Sequence, residues 1–219
     1  MKKFCVIGLG NFGYHVATFL YNEGHEVIGI DMDREKVQRI KDHTTIAIQG
    51  DAASKEFLAS QGVSEMDAVV VSTGERSHLS TLITLYLKEL EVKHILVKAV
   101  NEDHGKILMK VGAKQIIHPE KDMAIKTAKG LIYTNILDFL PLSDEYSITE
   151  AAPPAHFIGK DLVSIDIRKK YKVIVIAIRD IIAGNFISAP PPDYVIKDSD
   201  VLIFMGRSDD IERILKEEG

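Results

Sequence analysis

Cysteine is nearly absent from the chain: Cys5 is the only one among 219 residues. A single cysteine excludes a disulfide framework and a zinc site built from paired cysteines. Basic residues are also in the minority, because 27 Lys and Arg stand against 32 Asp and Glu, giving a formal net charge of -5. The chain therefore lacks the overall basic character of nucleic-acid-binding proteins, and we expect no nucleic-acid partner.

Long apolar stretches are missing as well. No run approaches the roughly 20 apolar residues that a membrane-spanning helix needs. The apolar segment after Lys2 and Lys3 is short and interrupted by glycine, which argues against an export signal. With 46% hydrophobic and 27% charged residues, the composition is that of a soluble globular protein, which we expect in the cytoplasm.

Motifs for catalysis are not found. The sequence has no phosphate loop of the Gly-x-x-x-x-Gly-Lys-Ser/Thr type, no Ser/His/Asp arrangement and no Cys/His cluster. A dehydrogenase needs an acid or base facing a substrate pocket, and the residues after 143 offer no candidate. These absences favour a sensor over an enzyme.

The most informative segment is the opening of the chain, where an apolar run meets a Gly-x-Gly-x-x-Gly turn followed by a helical pattern. In such a turn the first glycine permits a tight bend, the second admits a pyrophosphate and the third lets helix pack on strand. The helix N-terminus then offers free N–H groups to the anion. The predicted phosphate-binding residues are Gly8, Gly10, Asn11, Phe12 and Gly13.

A second strand pattern ends in Asp31. A carboxylate at this position accepts hydrogen bonds from both ribose hydroxyls and repels a 2′-phosphate, which disfavours NADP. We include the following Met32, Asp33 and Lys36 in the predicted site. Asp33 has the alternative role of capping the next helix.

Further residues follow the third and fourth predicted strands. Asp51, followed by Ala52, is predicted to bind the adenine, with capping of the next helix as the alternative. Ser72, Thr73 and Gly74 are small enough for a nucleotide to lie over the strand ends, although an ordinary strand-to-helix turn would look the same.

Two charged residues complete the predicted site. Lys98 ends a mostly apolar strand, and a buried lysine needs a partner, either a phosphate or Glu120. Glu120 stands at the predicted start of a helix, where capping is the alternative role.

The pattern through residue 117 predicts the fold class. Strand-like runs alternate with helical patterns, and the runs are continuous and β-branched, as in parallel strands covered on both faces. We predict an α/β fold with a doubly wound, Rossmann-like parallel sheet. The predicted strands are 4–7, 27–30, 45–48, 68–71, 94–100 and 115–117.

A different pattern begins after Pro119. Residues 121–140 are predicted to form one long helix that Pro141 ends. Short strand patterns then precede a last helix that begins at Ser208, which predicts a second, smaller α+β domain. We place the domains at 1–140 and 141–219. The strands of the second domain are predicted at 146–150, 172–179 and 200–205, with a turn at 183–185.

Several segments together resemble the cytosolic regulatory subunit of Ktr/Trk potassium-uptake systems, part of the family of domains that regulate potassium conductance. The most specific is His118-Pro119-Glu120-Lys121-Asp122-Met123. The resemblance spans nearly the whole chain. It also rests on the glycine turn and on 25–27, 74–75, 87–90, 97–99, 142–148, 168–171 and 200–206.

The resemblance implies a regulatory subunit that senses ATP or ADP, with NAD or NADH as the alternative, and that gates a membrane potassium transporter or channel. It implies that the glycine turn holds phosphates, that Asp31 holds the ribose and that Lys98 lies near the phosphates. Glu120 would help to hold a divalent cation where two subunits meet. The smaller domain would bind cyclic di-AMP through Arg168, Ile176 and Pro191.

Assembly follows from the same resemblance. The helix from residue 121 would cross to a partner subunit, and four homodimers would form an octameric ring at the inner face of the cell membrane. One departure is Asn11, where relatives often have an arginine that reaches the terminal phosphate.

Two other functions are open to this sequence. An NAD-dependent oxidoreductase would require hydride transfer and a substrate pocket. A nucleotide-responsive transcription factor would require a basic recognition helix, which the acidic composition disfavours.

Overall fold

A computed structural model describes residues 1–132, 135–143 and 145–216. The chain divides into two compact units, Met1–Lys121 and Asp122–Gly219. The domain boundary that we placed at residue 140 stays a prediction. Within the described residues, none of the helices combines the length and the apolarity needed to span a bilayer.

The first unit is built on a parallel sheet of six strands in the order β3-β2-β1-β4-β5-β6. The chain runs outward from β1 to β3 and then returns to the centre at β4, which creates a switch point between β1 and β4. This order confirms the predicted doubly wound fold. The strands are β1 Lys3–Ile7, β2 Glu26–Asp31, β3 Ile46–Gln49, β4 Ala68–Val71, β5 Ile95–Lys98 and β6 Gln115–Ile117. The helices between them are α1 Asn11–Asn22, α2 Arg34–Ile40, α3 Lys55–Ser60, α4 Ser77–Glu89 and α5 Glu102–Val111.

Both faces of this sheet are covered, which explains the continuous apolar strands. Ile7 and its neighbour Val6 on β1 point to opposite faces, and each is buried in a separate hydrophobic cluster. Cys5 is fully buried in the first of these clusters. Burial raises the pKa of its thiol to about 12 because the thiolate would lose its hydration.

The second unit contains an antiparallel sheet in the order β10-β9-β11-β8-β7. Phe157, Tyr171 and Phe204 are its largest fully buried side chains. The predicted turn at 183–185 is confirmed, since it joins the antiparallel strands β9 and β10. The strands are β7 Ile136–Pro141, β8 Tyr146–Ala151, β9 Ile174–Asp180, β10 Phe186–Ser188 and β11 Asp200–Arg207. The helices are α6 Pro119–Ile132, which begins in the first unit, α7 Leu162–Ile165, α8 Ile167–Tyr171 and α9 Ser208–Lys216.

The prediction of one helix over 121–140 is wrong. Helix α6 ends at Ile132, and β7 pairs with β8 in antiparallel register, with Phe139 opposite Thr149. The apolar residues Ile132, Ile136 and Leu140 are spaced by four, which also fits a helix. The backbone hydrogen bonds to β8 decide the conformation, because tertiary pairing overrides a short periodic pattern. Positions 133 and 134 lie outside the described residues.

Candidate functional site

A cavity of about 260 Å³ opens at the carboxyl edge of the parallel sheet, at the switch point between β1 and β4. In doubly wound folds this edge is where ligands bind. The structure brings all of the predicted site residues to this cavity except Gly13 and Asp33. The predicted residues that line it are Gly8, Gly10, Asn11, Phe12, Asp31, Met32, Lys36, Asp51, Ala52, Ser72, Thr73, Gly74, Lys98 and Glu120. Their role as ligands stays a prediction.

The glycine turn joins β1 to α1. Gly8 has φ +91°, and a Cβ there would lie 2.2 Å from the carbonyl oxygen of Ser72. A Cβ on Gly13 would lie 1.9 Å from the carbonyl oxygen of Gly8, so Gly13 supports the turn from behind. A Cβ on Gly10 would meet no atom within 4 Å, so the backbone of Gly10 is open to a ligand.

The N-terminus of α1 is open in the same way. Gly10 is its N-cap residue and provides no side-chain hydrogen bond to the first turn, which contains no acid. The free N–H groups and the positive end of the helix dipole therefore face the cavity without a competing carboxylate from the first turn.

Asp31 ends β2 and is only 8% exposed. Its Oδ2 accepts a hydrogen bond of 2.7 Å from the N–H of Leu9, and its Oδ1 accepts one of 2.9 Å from the N–H of Asp33. The Nζ of Lys36 lies 3.8 Å from the same Oδ2. Asp31 therefore anchors the glycine turn in addition to lining the cavity, and its remaining lone pairs are available to ribose hydroxyls.

For Asp33 and Asp51 the sequence left two roles open, ligand binding and helix capping, and the structure shows which residues cap the helices. Asp33 caps α2 by accepting a 2.9 Å hydrogen bond from the N–H of Glu35, and it does not line the cavity. Helix α3 is capped by Ser54, whose Oγ accepts from the N–H of Phe57 at 3.1 Å. Asp51 accepts a hydrogen bond from the N–H of Ala53 in the turn before α3, so the alternative role of capping α3 belongs to Ser54, and binding of the adenine by Asp51 stays a prediction.

Lys98 finds its partner in Glu120. The lysine side chain is 16% exposed and donates to Oε1 of Glu120, which is 72% exposed at the start of α6. The hydrogen bond from Lys98 holds the pKa of Glu120 below its ordinary value. Within the chain as described, no three His, Cys, Asp or Glu side chains are placed to hold a metal ion together.

Sequence reasoning missed part of the lining. Leu79 and Ile83 come from one face of α4, and Arg76 comes from the turn that precedes it. Their i, i+4 spacing was the available signal for the two apolar residues. The other unpredicted lining residues are Ile7, Ile30 and Gly50.

The cavity also contains an open polar group. The Oγ1 of Thr73 is buried and has no hydrogen-bond partner among the described residues. A buried hydroxyl of this kind calls for a partner. Together with the open Gly10 backbone, the Asp31 carboxylate and nearby cations, it fits a ligand that carries both hydroxyl and phosphate groups.

The second unit has a separate hollow of about 300 Å³ between α7, α8 and the segment that contains Pro190 and Pro192. Arg168 lines it, whereas Ile176 and Pro191 are sequence neighbours of its lining residues. The lining consists of Leu162, Val163, Asp166, Ile167, Arg168, Val175, Pro190 and Pro192.

Comparison with known proteins covers both units. Residues 4–119 match the TrkA-N domain, and residues 148–219 match the TrkA-C domain. The chain is 40% identical to the Ktr system potassium uptake protein A of Bacillus subtilis over 216 residues, covering 99% of this chain and 96% of that protein. It is also 40% identical to protein C of the same system over 215 residues, covering 98% and 96%.

Solved structures show the same fold at lower identity. The GsuK RCK domain superposes with a TM-score of 0.57 at 20% identity over 98% of this chain and 46% of that one. GsuK bound to ADP superposes with a TM-score of 0.54 at 22% identity, over 61% of this chain and 34% of that one. The GsuK channel bound to NAD superposes with a TM-score of 0.52 at 18% identity, over 98% of this chain and 38% of that one. This chain spans less than half the length of each of these structures.

The two domain matches and the identity over nearly the whole length agree with the resemblance predicted from the sequence. The chain belongs to the family of Ktr and Trk potassium uptake proteins.

Proposed function

We propose that this protein is a nucleotide-sensing regulatory subunit of a Ktr/Trk-type potassium uptake system, which gates a membrane potassium transporter and catalyses no reaction. The observation that carries the proposal is the cavity at the switch point, in which a glycine turn, an anchored carboxylate and cations meet. ATP or ADP is the proposed ligand, with NAD or NADH as the alternative. Structures of GsuK bound to ADP and to NAD support nucleotide binding by this fold.

Different residues of the cavity would bind different parts of the nucleotide. The open backbone of Gly10 and the N-terminus of α1 would bind the phosphates. Asp31 would accept from the ribose hydroxyls, and Asp51 and Ala52 would contact the adenine. Lys98 would lie near the phosphates, and Glu120 would contribute one ligand to a divalent cation completed by a second subunit.

Helix α6 supports a role in assembly. It has no buried residue within the described chain, although Met123, Ile125, Leu131 and Ile132 are apolar and between 43% and 78% exposed. An exposed apolar helix is typical of a surface that a partner covers. We propose that α6 crosses to a second subunit and that four such dimers form an octameric ring beneath the transporter, at the cytoplasmic face of the membrane.

Gating requires that the nucleotide bind two conformations of the protein with different affinities. A ligand that binds both conformations equally does not shift the equilibrium between them. Moving a population from 1:99 to 99:1 needs about 5.5 kcal/mol. Over the eight sites of the proposed ring this is roughly 0.7 kcal/mol per site. A modest contrast between ATP and ADP at each site is therefore sufficient.

A ligand bound in the hollow of the second unit would provide a second regulatory signal to the proposed ring. Arg168 offers a cation beside apolar and proline residues, which suits a ligand with phosphates and flat bases. We propose that cyclic di-AMP binds here, with Ile176 and Pro191 contributing from the adjacent backbone.

Thermal-shift titration with ATP, ADP, NADH and cyclic di-AMP tests the ligands, and solution scattering of the assembled protein with ATP or ADP tests the gating step. We expect stabilisation by adenine nucleotides and two different particle shapes. Identical shapes with ATP and ADP would contradict gating. Hydride transfer between NADH and any of a panel of substrates would instead favour the oxidoreductase.

A further inference from the structure

Among the residues that the structure describes, one of the cations lining the cavity has no acidic partner. Lys36, Arg76 and Lys98 all line it. Lys36 lies 3.8 Å from Asp31, and Lys98 is paired with Glu120. Arg76 forms no ion pair with any residue that the structure describes. Within the described part of the chain, its guanidinium is therefore available to a ligand without breaking an existing ion pair.

The order of the strands places Arg76 beyond the glycine turn. Asp31 and Asp51 follow β2 and β3 on one side of β1, whereas Arg76 follows β4 on the other side. A nucleotide with its ribose at Asp31 and its first phosphate at Gly10 directs the rest of its phosphate chain toward β4.

The backbone of Arg76 is held at the start of α4. Its carbonyl oxygen accepts hydrogen bonds from the N–H of Leu79 at 3.1 Å and of Ser80 at 3.2 Å. The first turn of α4 contains no acid, so the positive end of the helix dipole reinforces the guanidinium. Leu79 and Ile83, which follow on the same face of α4, line the same cavity.

We propose that Arg76 binds the terminal phosphate of the nucleotide and thereby makes the cavity prefer nucleoside triphosphates over NAD. This inference rests on the proposed function. The part of the cavity beyond the turn contains Arg76 and Lys98 against the carboxylate of Glu120, which leaves one positive charge in excess. A terminal phosphate matches the two parallel donors of a guanidinium, whereas the oxidised nicotinamide ring is itself positively charged.

Isothermal titration calorimetry with AMP, ADP, ATP and NAD tests this on the full chain and on Arg76→Gln. We expect Arg76→Gln to weaken ATP binding by roughly ten- to a hundredfold, the effect of losing charge-assisted hydrogen bonds, and to change AMP binding by less than about twofold. Arg76→Lys keeps the charge and should restore part of the loss. The matched control is Arg34→Gln, because Arg34 is exposed on α2 outside the cavity lining; its ATP affinity should equal that of the unmodified chain.

The outcomes separate the two proposals. Three results for Arg76→Gln would overturn the role of Arg76 while nucleotide sensing stands. They are an equal loss of affinity for AMP and ATP, no loss of affinity for ATP, and an equal loss of affinity for ATP and NAD. Failure of the unmodified chain to bind any of the four nucleotides would overturn nucleotide sensing itself.

Discussion

Asp31 is the residue at which the structure makes its sharpest prediction, because it both anchors the glycine turn and lines the cavity. In Asp31→Ala the buried N–H of Leu9 loses its acceptor, and Leu9 is fully buried. An unsatisfied buried donor costs about 1–3 kcal/mol. For a chain of this size that lowers the melting temperature by roughly 3–9 °C in the absence of ligand.

The same substitution removes the proposed ribose acceptor. Losing hydrogen bonds to a charged group, at about 1.5–3 kcal/mol each, should weaken ATP binding by at least tenfold. Asp31→Asn should lose less stability, since its amide oxygen still accepts one of the two backbone N–H groups. Calorimetric titration gives the affinity, and thermal unfolding without nucleotide gives the stability.

Asp33→Ala is the matched control for Asp31→Ala. It removes the cap of α2 at a cost of about 1 kcal/mol and the 3.9 Å ion pair with Lys36, but Asp33 itself does not line the cavity and the pair between Lys36 and Asp31 remains. Its ATP affinity should remain that of the unmodified chain. Unchanged ATP affinity in Asp31→Ala, or an equal loss in Asp33→Ala, would refute the assignment of Asp31 to the ligand.

Three further variants test the turn, the Lys98 pair and the hairpin of the second unit. Gly13→Ala should unfold the first unit or destabilise it by about 3 kcal/mol or more, since its Cβ would overlap the Gly8 carbonyl, whereas Gly10→Ala should keep its urea midpoint and lose ATP affinity. Lys98→Met should raise the pKa of Glu120 toward its ordinary value in an NMR titration, because the hydrogen bond from Lys98 lowers it; an unchanged pKa would contradict the pairing. The N–H of Ala183 and the ammonium of Lys197 lower the pKa of Asp180 to about 2, so its stabilising contribution is present above the unfolded pKa of roughly 4 and is lost as the pH falls toward 2. The urea midpoint of Asp180→Asn should therefore vary less over that pH range than that of the unmodified chain, and parallel profiles would disprove this contribution.

The sequence predicted the first unit well because its parallel strands are buried on both faces. Such strands have continuous apolar runs, and their carboxyl ends identify the site once the order is known. Asp31 and Lys98 were found in this way. Arg76 was missed because it stands in a turn, where the pattern of the strands gives no information about the direction of a side chain.

The second unit was harder to predict because its elements are short. The apolar spacing of Ile132, Ile136 and Leu140 fits a helix and a strand alike, and the pairing of β7 with β8 decides the conformation of residues 136–141. Asp33 illustrates a similar ambiguity at the level of one side chain. An aspartate after a strand can cap a helix or bind a ligand, and the hydrogen bond to Glu35 assigns it to the helix.

The burial of Cys5 has a practical consequence for measuring motion in the proposed assembly. The only thiol of the chain is fully enclosed in the sheet, and its raised pKa keeps it protonated and unreactive at neutral pH. Thiol-reactive maleimide dyes and nitroxide labels will therefore not react with Cys5 in the folded native chain. A cysteine introduced at exposed Glu23, which follows α1 and lies outside the proposed partner surface on α6, would carry the label alone. Distances between the protomers of the proposed assembly then become measurable without replacing Cys5.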